Sequence, residues 1–339
     1  SCIFYGCTKM KSIKVPEGVT ELPENVFSGC SAFAGIKLPG TLEAVGDSAF
    51  SGCTGLTGIE LPAGLKTVGS YAFSGCTGLT GIELPDSVTT VGNSAFSGCT
   101  GLKGLELPDS VTTIQAYAFS GCTGLKEINY PLSLSKTGSH IYAGCTGLKG
   151  IEVPEGVTAL PENAFNGANK LRSITLPSTL KEIGDSAFSN CISMPALYLN
   201  VGLKKIGRNV FSDCDGLVSI IIPNTVQSIN TYAFSGCDNL KYVTVDGNAL
   251  LNLNTHAFQN CRRLQTIYLP LSLTEFGIGI FSGCNKLTIY CPFNSYSTLY
   301  AIENDIPFIA SDNGFEDSDS LVLNHNTSYY YMDTSSMKY

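Results

Sequence analysis

Apolar residues recur along the chain at fixed offsets within a unit of 23 residues. In the unit from Cys76 to Gly98 the apolar positions are Leu79, Ile82, Leu84, Val88, Val91, Ala95 and Phe96. Cysteine opens twelve of thirteen such units, Ala168 opens the other, and one residue is inserted before Cys261. A fixed period in the twenties indicates a solenoid, because each coil can bury its apolar face only against its neighbours.

The first part of each unit predicts a β-strand. Ile82 and Leu84 alternate with Gly81 and Glu83, so the first pair should point inward and the second pair outward. Pro85 should end the strand, because proline has no N–H to donate to a ladder. Coils stacked in this way form a parallel sheet with one strand from each coil.

The second part of the unit predicts shorter elements. Val88 and Val91 fit a short second strand. The segment that follows fits a single helical turn, with Asn93 or Ser94 as its cap and Phe96 plugging the centre of the coil.

The position before each unit's first residue predicts a left-handed backbone. It is Gly in ten units, as at Gly98, and Asn190, Asp213 or Asn260 in the others. These three residue types tolerate positive φ best, so positive φ is expected there in every coil.

At these residues the chain resembles the BspA-like family, also called the Treponema-type leucine-rich repeat. The signature L-P-x-x-V-x-x-I-G-x-x-A-F-x-x-C-x-x-L-x-x-I matches Leu84 to Leu105, with Val91 and Leu105 in two isoleucine positions. The resemblance covers about Ile3 to Pro292. It implies a right-handed leucine-rich-repeat solenoid with a parallel strand in every coil. It also implies the function of most family members, which are surface or secreted proteins linked to adhesion and host-protein binding.

The pattern divides the chain into three parts. Residues 1–292 are predicted to form a solenoid of about 13 coils, the first of them truncated because the chain starts in mid-unit. Residues 293–310 are expected to form a C-terminal cap of a helix, Asn294 to Asn304, and a strand, Ile306 to Ala310. Residues 311–339 are a polar, tyrosine-rich tail. Because Ser1 is not Met and no signal peptide is present, we expect a fragment or a processed chain.

Composition limits the classes of partner. Hydrophobic residues make up 43% of the chain and charged residues 14%, so a continuous core is feasible. The net charge is −8 and there is no basic run, which disfavours nucleic acid and anionic membranes. No stretch of about 18 apolar residues is present, so membrane insertion is not expected.

The fourteen cysteines have three interpretations. Stacked side chains about 4.8 Å apart are farther apart than the Cβ atoms of a disulfide, at about 3.8 Å. A metal site is disfavoured by the absence of Cys-x-x-Cys and by only three histidines. A reduced, buried packing ladder is favoured, because Ala168 can pack in the same position but cannot ligate or oxidise. The states of Cys2 and Cys291, outside the ladder, stay open.

Catalytic chemistry is not indicated. His140 and His256 share one repeat position five coils apart, roughly 24 Å, too far for a dyad or a shared metal. The column of Glu60, Glu83 and Glu106 is typical of a solvated face. We therefore expect no enzyme, no cofactor and no metal site. The sequon at Asn326 is best explained by chance.

The outward column two residues before the proline position changes character along the solenoid. It is charged in the first half and becomes aromatic and apolar from Tyr198 onward. Exposed apolar residues often mark binding sites, so five members are the candidate partner-binding residues: Tyr198, Ile221, Tyr242 from the adjacent outward column, Tyr268 and Tyr290. The alternative is that the tail, residues 311–339, folds back over them.

Two functions are compatible with these patterns. The first is a non-catalytic extracellular or cell-surface adhesion module that binds a protein or glycan of a host or neighbouring cell. The second is a passive spacer, a rigid rod about 60 Å long for thirteen rungs at about 4.8 Å. The near-identical coils from Cys53 to Gly121 favour the spacer, because binding surfaces vary from rung to rung.

Overall fold

The computed structural model describes residues 3–311, which form one continuous solenoid capped at its C-terminal end. Each full coil contributes a first strand segment, a short second strand and a turn segment. Stacking aligns each of these with its equivalent in the next coil, and the apolar side chains between them form a single core.

The first strand segments form one column along the solenoid. Its strands are β1 (Ser12–Lys14), β3 (Gly35–Lys37), β7 (Gly104–Leu105), β9 (Glu127–Ile128), β11 (Gly150–Glu152), β13 (Ser173–Thr175), β16 (Ser219–Ile222), β18 (Tyr242–Val245), β20 (Thr266–Tyr268), β22 (Thr288–Pro292) and β23 (Phe308–Ser311). We call the outer surface of this column the strand face.

The short second strands form the second column. They are β2 (Glu21–Leu22), β4 (Ala44–Val45), β5 (Thr67–Val68), β6 (Thr90–Val91), β8 (Thr113–Ile114), β10 (Lys136–Thr137), β12 (Ala159–Leu160), β14 (Glu182–Ile183), β15 (Lys205–Ile206), β17 (Ser228–Ile229), β19 (Asn252–Leu253) and β21 (Glu275–Phe276).

All pairing in the two columns is parallel and follows the repeat. Ser12 pairs with Gly35 and Ser219 with Tyr242, each pair 23 residues apart. Val245 still pairs with Ile222, but Asn252 pairs with Ser228, 24 residues away. The extra residue therefore lies in the turn around Asp246-Gly247-Asn248, where Gly247 has φ 60°. This confirms the site expected from the turn residues.

Phenylalanine rings form the axis of the core. Phe73, Phe96 and Phe119 are fully buried, and adjacent rings stack with centroids 5.3 and 5.5 Å apart and planes within 9°. The predicted plug of each coil is confirmed. Burial of a large apolar ring in every coil contributes much of the free energy that holds the coils together.

The cysteine ladder lies beside this stack. Cys99 is fully buried, and its Sγ donates to the carbonyl of Phe73 in the preceding coil at 3.0 Å. Cys122 makes the same bond to Phe96 at 3.1 Å. The thiols therefore pack as small residues and also bond one coil to the next.

The turn segment differs from the expected helical turn. Ser94, which we expected to act as a cap, has φ 52°, so its backbone is left-handed. Ser94, Phe96 and Gly98 donate their N–H groups to Ala116, Ala118 and Ser120 of the next coil at 2.8–2.9 Å. The segment satisfies its N–H groups between coils, whereas a helical turn would satisfy them within one coil.

The predicted positive φ before each ladder position is confirmed. Gly98 has φ 70°, and Asn190, Asp213 and Asn260 have φ between 57° and 60°. These residues continue the turn segment that begins at Ser94, so two left-handed positions shape each coil.

Strand pairing is absent in three coils, although a strand was expected in each. Gly58 and Gly81 lie in two of them, and both neighbours of each in the column are also glycine: Gly35, Gly81 and Gly58, Gly104. Adjacent glycines offer no cross-strand side-chain pair and lose much backbone entropy on ordering. The paired glycines have partners with side chains; Gly35, for example, pairs with Ser12.

The third unpaired coil contains Tyr198, and proline explains it. Lys126 and Arg172 each donate their N–H to the equivalent carbonyl of the preceding coil, at 2.9 Å. Pro195 occupies this position in its coil and has no N–H, so the bond to Arg172 is missing. Residues 196–199 accordingly form no ladder with β13 or β16.

A short helix, α1 (Tyr296–Glu303), follows β22 and precedes β23. Ser295 caps it in a capping box with Thr298. Ala301 is fully buried against the last coil. Within the described residues α1 is the sole α-helix, and no helix there is long and apolar enough to cross a membrane.

Candidate interaction face

The five candidate residues lie on the strand face, as the alternation predicted. In β16 the side chain of Ile221 is half-exposed at 48%, whereas Ile220 and Ile222 are buried. In β18 Tyr242 is exposed while Val243 is fully buried. The register inferred from the sequence is therefore correct, and we call the five residues Tyr198, Ile221, Tyr242, Tyr268 and Tyr290 the aromatic patch.

Tyr198 is the most exposed member of the patch, with 90% of its surface accessible. Its coil is the one that Pro195 removes from the strand ladder, so the ring is carried by backbone without cross-strand bonds. The flanking side chains Leu197 and Leu199 are buried. The segment is therefore anchored through its inward residues while it presents a full aromatic ring to solvent.

The members nearer the C-terminus are more enclosed. Tyr268 and Tyr290 are intermediate in burial, and their rings contact each other with centroids 4.9 Å apart and planes tilted by 37°. The tail that was expected to cover the patch, beyond Ser311, lies outside the described residues. The patch therefore grades from a fully presented ring at Tyr198 to paired rings at Tyr290.

Further apolar side chains, which the sequence reasoning missed, surround the patch. Val218 is 41% exposed, and the exposed residues Ile192 and Val201 belong to the same coil as Tyr198. In the near-identical coils the equivalents of Ile192 are threonines, such as Thr77 and Thr100. Comparing each repeat position from coil to coil would have revealed the exchange of threonine for isoleucine.

The N-terminal half of the strand face is polar. Glu60, Glu83 and Glu106 are exposed in the column that contains Tyr198. The adjacent outward position carries Gly58 and Gly81, which add no side chain. The two halves of one continuous face thus differ in chemistry while sharing one backbone geometry.

The histidines lie on the turn segment, away from the strand face. His140 stacks on Tyr117 with ring centroids 4.4 Å apart, and His256 stacks on Tyr232 at 5.0 Å. Each pair joins two successive coils through the left-handed position of the turn segment. The histidines therefore contribute to the packing between coils.

The thiols of the ladder are chemically subdued. Burial raises the pKa of Cys53, Cys145 and Cys191 from 9.0 to about 12. A thiol in this state is a poor nucleophile, because the reactive species is the thiolate. Cys291, left open by the sequence, is also buried with a raised pKa, whereas Cys7 at the first coil is exposed. Cys2 lies outside the described residues.

Metal ligation is not supported by the part of the chain that the structure describes. Residues 3–311 contain no group of three or more His, Cys, Asp or Glu side chains placed to hold a metal ion.

Comparison with protein families identifies the repeat. The model of the BspA type leucine rich repeat region matches residues 1–103, 89–218 and 204–303, six copies in all. The chain belongs to the BspA-type leucine-rich-repeat family. Comparison with curated proteins found no match.

Solved structures of bacterial leucine-rich-repeat proteins share the fold. A leucine-rich repeat protein from Bacteroides ovatus is 25% identical, with a TM-score of 0.65 over 88% of this chain and 91% of that one. A leucine rich cell surface protein from Faecalibacterium prausnitzii is 24% identical, with a TM-score of 0.52 over 86% and 82%. The pneumococcal vaccine antigen PcpA is 20% identical, with a TM-score of 0.59 over 91% and 90%.

Proposed function

We propose that this BspA-type protein is a non-catalytic recognition module that binds a protein or glycan of a host or neighbouring cell through the aromatic patch. The observation that carries the proposal is Tyr198, a ring 90% exposed on a rigid scaffold. An aromatic ring with few rotatable bonds gives a large contact area at low entropic cost, and such residues dominate interface energies.

The surroundings of Tyr198 add to this support. Ile221, Tyr242 and Val218 expose apolar surface on the coils that follow it. Contiguous exposed apolar surface on a soluble protein is characteristic of interaction sites. The buried residues between them hold the backbone in one conformation, so little ordering accompanies binding.

We place the protein at the cell surface or in the extracellular space. This assignment rests on membership of the BspA-type family, and the Faecalibacterium relative is itself described as a cell surface protein. The ladder of buried thiols, with pKa values raised by burial, suits such a location because buried thiols resist oxidation.

The experiment uses binding to a panel of immobilised extracellular-matrix proteins and glycans. For each binder found, the variant Tyr198→Ala/Ile221→Ala/Tyr242→Ala is compared with the unchanged protein. We expect at least tenfold weaker binding with an unchanged melting temperature, because these side chains are exposed. The matched control is Glu60→Ala/Glu83→Ala/Glu106→Ala, on the same face in the other half, which should bind within about twofold of the unchanged protein. Full affinity in the patch variant would refute the proposal.

The second candidate is a passive spacer that displays other parts of a longer surface protein. The near-identical coils from Cys53 to Gly121 favour it, because their strand face repeats one polar pattern. A spacer predicts no binder in the panel. It also predicts that deletion of one whole coil, residues 76–98, shortens the rod without affecting its fold.

A further inference from the structure

One coil of the solenoid has hydroxyl groups where the others have hydrocarbon. Tyr130 follows Leu84 and Leu107 in one core position, and Tyr142 follows Phe96 and Phe119 in the central ring stack. Thr137 follows Val91 and Ile114 in the second column. Three apolar positions of a single coil are therefore occupied by residues that carry a hydroxyl group.

The two tyrosine hydroxyls are buried without a partner in the protein. Tyr130 is 4% exposed and Tyr142 is fully buried. Five buried side-chain polar atoms within residues 3–311 lack a protein hydrogen bond, and three lie in this coil: the hydroxyls of Tyr130 and Tyr142 and Nδ1 of His140. Buried polar atoms are rarely left unpaired, because the desolvation penalty is then uncompensated.

The three hydroxyls are close to one another. Burial raises the pKa of Tyr130 to about 12, and the neighbouring Thr137 hydroxyl opposes this rise. Burial raises the pKa of Tyr142 well above its ordinary value, and the nearby Tyr130 adds to the rise. Tyr130 is therefore the middle member of the group, with Thr137 on one side and Tyr142 on the other.

Both strand columns are interrupted beside this coil. β9 does not pair with β11, and β10 does not pair with β12. In other coils the residue after the short strand donates to the preceding coil, as Gly138 donates to Ile114 at 2.8 Å and Gly184 to Leu160 at 2.9 Å. Pro161 holds this position in the next coil and cannot donate to Thr137.

Asn129 partly replaces the missing strand bonds on the other column. Its Nδ2 donates to the carbonyl of Leu107 at 2.8 Å, and its Oδ1 accepts from the N–H of Leu107 at 2.7 Å. The coil is thus bonded tightly to the coil before it and loosely to the coil after it. A loose boundary gives a small molecule a path to the hydroxyls.

We propose that this coil contains an internal water-binding site formed by the hydroxyls of Tyr130, Thr137 and Tyr142. A buried water needs two to four polar partners, and three hydroxyls supply that number. Each hydroxyl can donate or accept, so one water can bond all three. The water completes the hydrogen bonding of a boundary at which both ladders are interrupted.

A high-resolution crystal structure of the unchanged protein is the direct test. We expect an ordered water within about 2.5–3.2 Å of the hydroxyl oxygens of Tyr130 and Tyr142. The variant Tyr130→Leu/Thr137→Val/Tyr142→Phe, which restores apolar residues, should show no water there. Tyrosine hydroxyls bonded directly to each other, or a core without water in the unchanged protein, would overturn the proposal.

A double-mutant cycle tests the same site in solution. Tyr130→Phe and Tyr142→Phe each remove one hydroxyl and keep the ring, so each should lower the melting temperature by breaking a water-mediated bond. The double variant should lower it by less than the sum, because both hydroxyls bind one water. Additive shifts, or a melting temperature raised by either single change, would contradict a shared water. Phe119→Tyr, which adds a lone hydroxyl one coil earlier, is the control and should lower the melting temperature.

Discussion

The Sγ atom of Cys99 lies 3.0 Å from the carbonyl oxygen of Phe73, one coil earlier. The same oxygen also accepts the N–H of Cys76 at 3.1 Å. The thiol is therefore a second donor to an acceptor that is already satisfied. Ala168 shows the alternative, because the carbonyl of Tyr142 accepts the N–H of Cys145 at 3.1 Å and receives no thiol.

This arrangement predicts a ranking of two core substitutions. Cys99→Ala should be mild, about 1 kcal/mol, because Phe73 keeps its backbone donor. Phe96→Ala should cost about 3–5 kcal/mol, because it removes a ring from the stack and leaves a cavity. Urea unfolding of the two variants measures both values. The reverse ranking would show that the inward assignments are wrong.

The ladder should be fully reduced in the native protein. Titration of unfolded, unreduced protein with a thiol reagent should find at least the twelve ladder thiols free. In the folded protein the exposed Cys7 should react quickly while Cys53 and Cys99 are protected. Most ladder thiols in disulfides would contradict the packing interpretation.

The raised thiol pKa values predict a loss of stability in alkali. Unfolded thiols lose their protons above pH 9.0, whereas Cys53, Cys145 and Cys191 hold theirs to about pH 12 when folded. The folded state then binds more protons, so the free energy of unfolding falls as pH rises from 9 towards 12. At pH 10.5 each such thiol should contribute a loss of up to about 2 kcal/mol.

Urea unfolding at pH 8 and pH 10.5 measures this effect, and substitution separates the thiols from other titrating groups. Cys191→Ala should reduce the difference between the two pH values, since the alanine has no proton to lose. An unchanged difference would assign the alkaline loss to lysines and exposed tyrosines.

The left-handed position before the ladder predicts a strong dependence on side-chain shape. Gly98 has φ 70°, and a Cβ added there would lie 3.8 Å from the nearest atom, the backbone N of Gly75. Space is therefore available, and backbone strain decides the outcome. Gly98→Val should destabilise strongly, whereas Gly98→Asn should be tolerated, as Asn190 and Asn260 are. Equal melting temperatures for the two variants would contradict the strain argument.

The missing bond at Pro195 predicts a stabilising substitution. Pro195→Lys supplies the N–H that Lys103 and Lys126 supply in their coils, and should raise the free energy of unfolding by about 1 kcal/mol. The reverse change, Thr80→Pro, removes the 3.1 Å bond from Thr80 to Thr57 and should lower it. The midpoints of urea unfolding report both, and a Pro195→Lys variant no more stable than the unchanged protein would refute the explanation.

The repeat, the inward positions and the left-handed residue before each ladder position could be predicted from sequence, because each follows from local chemistry. Gly98 and Asn190 are residue types that choose positive φ by themselves. Ser94 and Tyr71 are not, yet they have φ 52° and 56°. Bonds to the next coil impose that conformation, and no single coil's residues reveal it.

The strand face shows the same limit. Alternation placed Ile221 and Tyr242 outward correctly, because side-chain direction follows from the strand itself. The interruptions at Pro195 and Pro161 depend on which N–H groups cross between coils, and that direction is a property of the stack. Nothing in either residue pattern specifies the molecule that the aromatic patch binds.

The uniform register of the coils has a consequence for how such a gene changes length. Residues 23 apart in sequence meet the same neighbours, as Ala44 and Thr67 do in the second column. Unequal recombination that adds or removes one whole repeat therefore leaves every bond type intact and moves the two ends apart by about 4.8 Å. A change of a single residue must instead be absorbed in a turn, as at Gly247. Selection can thus tune the reach of the protein in fixed steps, while the face at its C-terminal end stays unaltered.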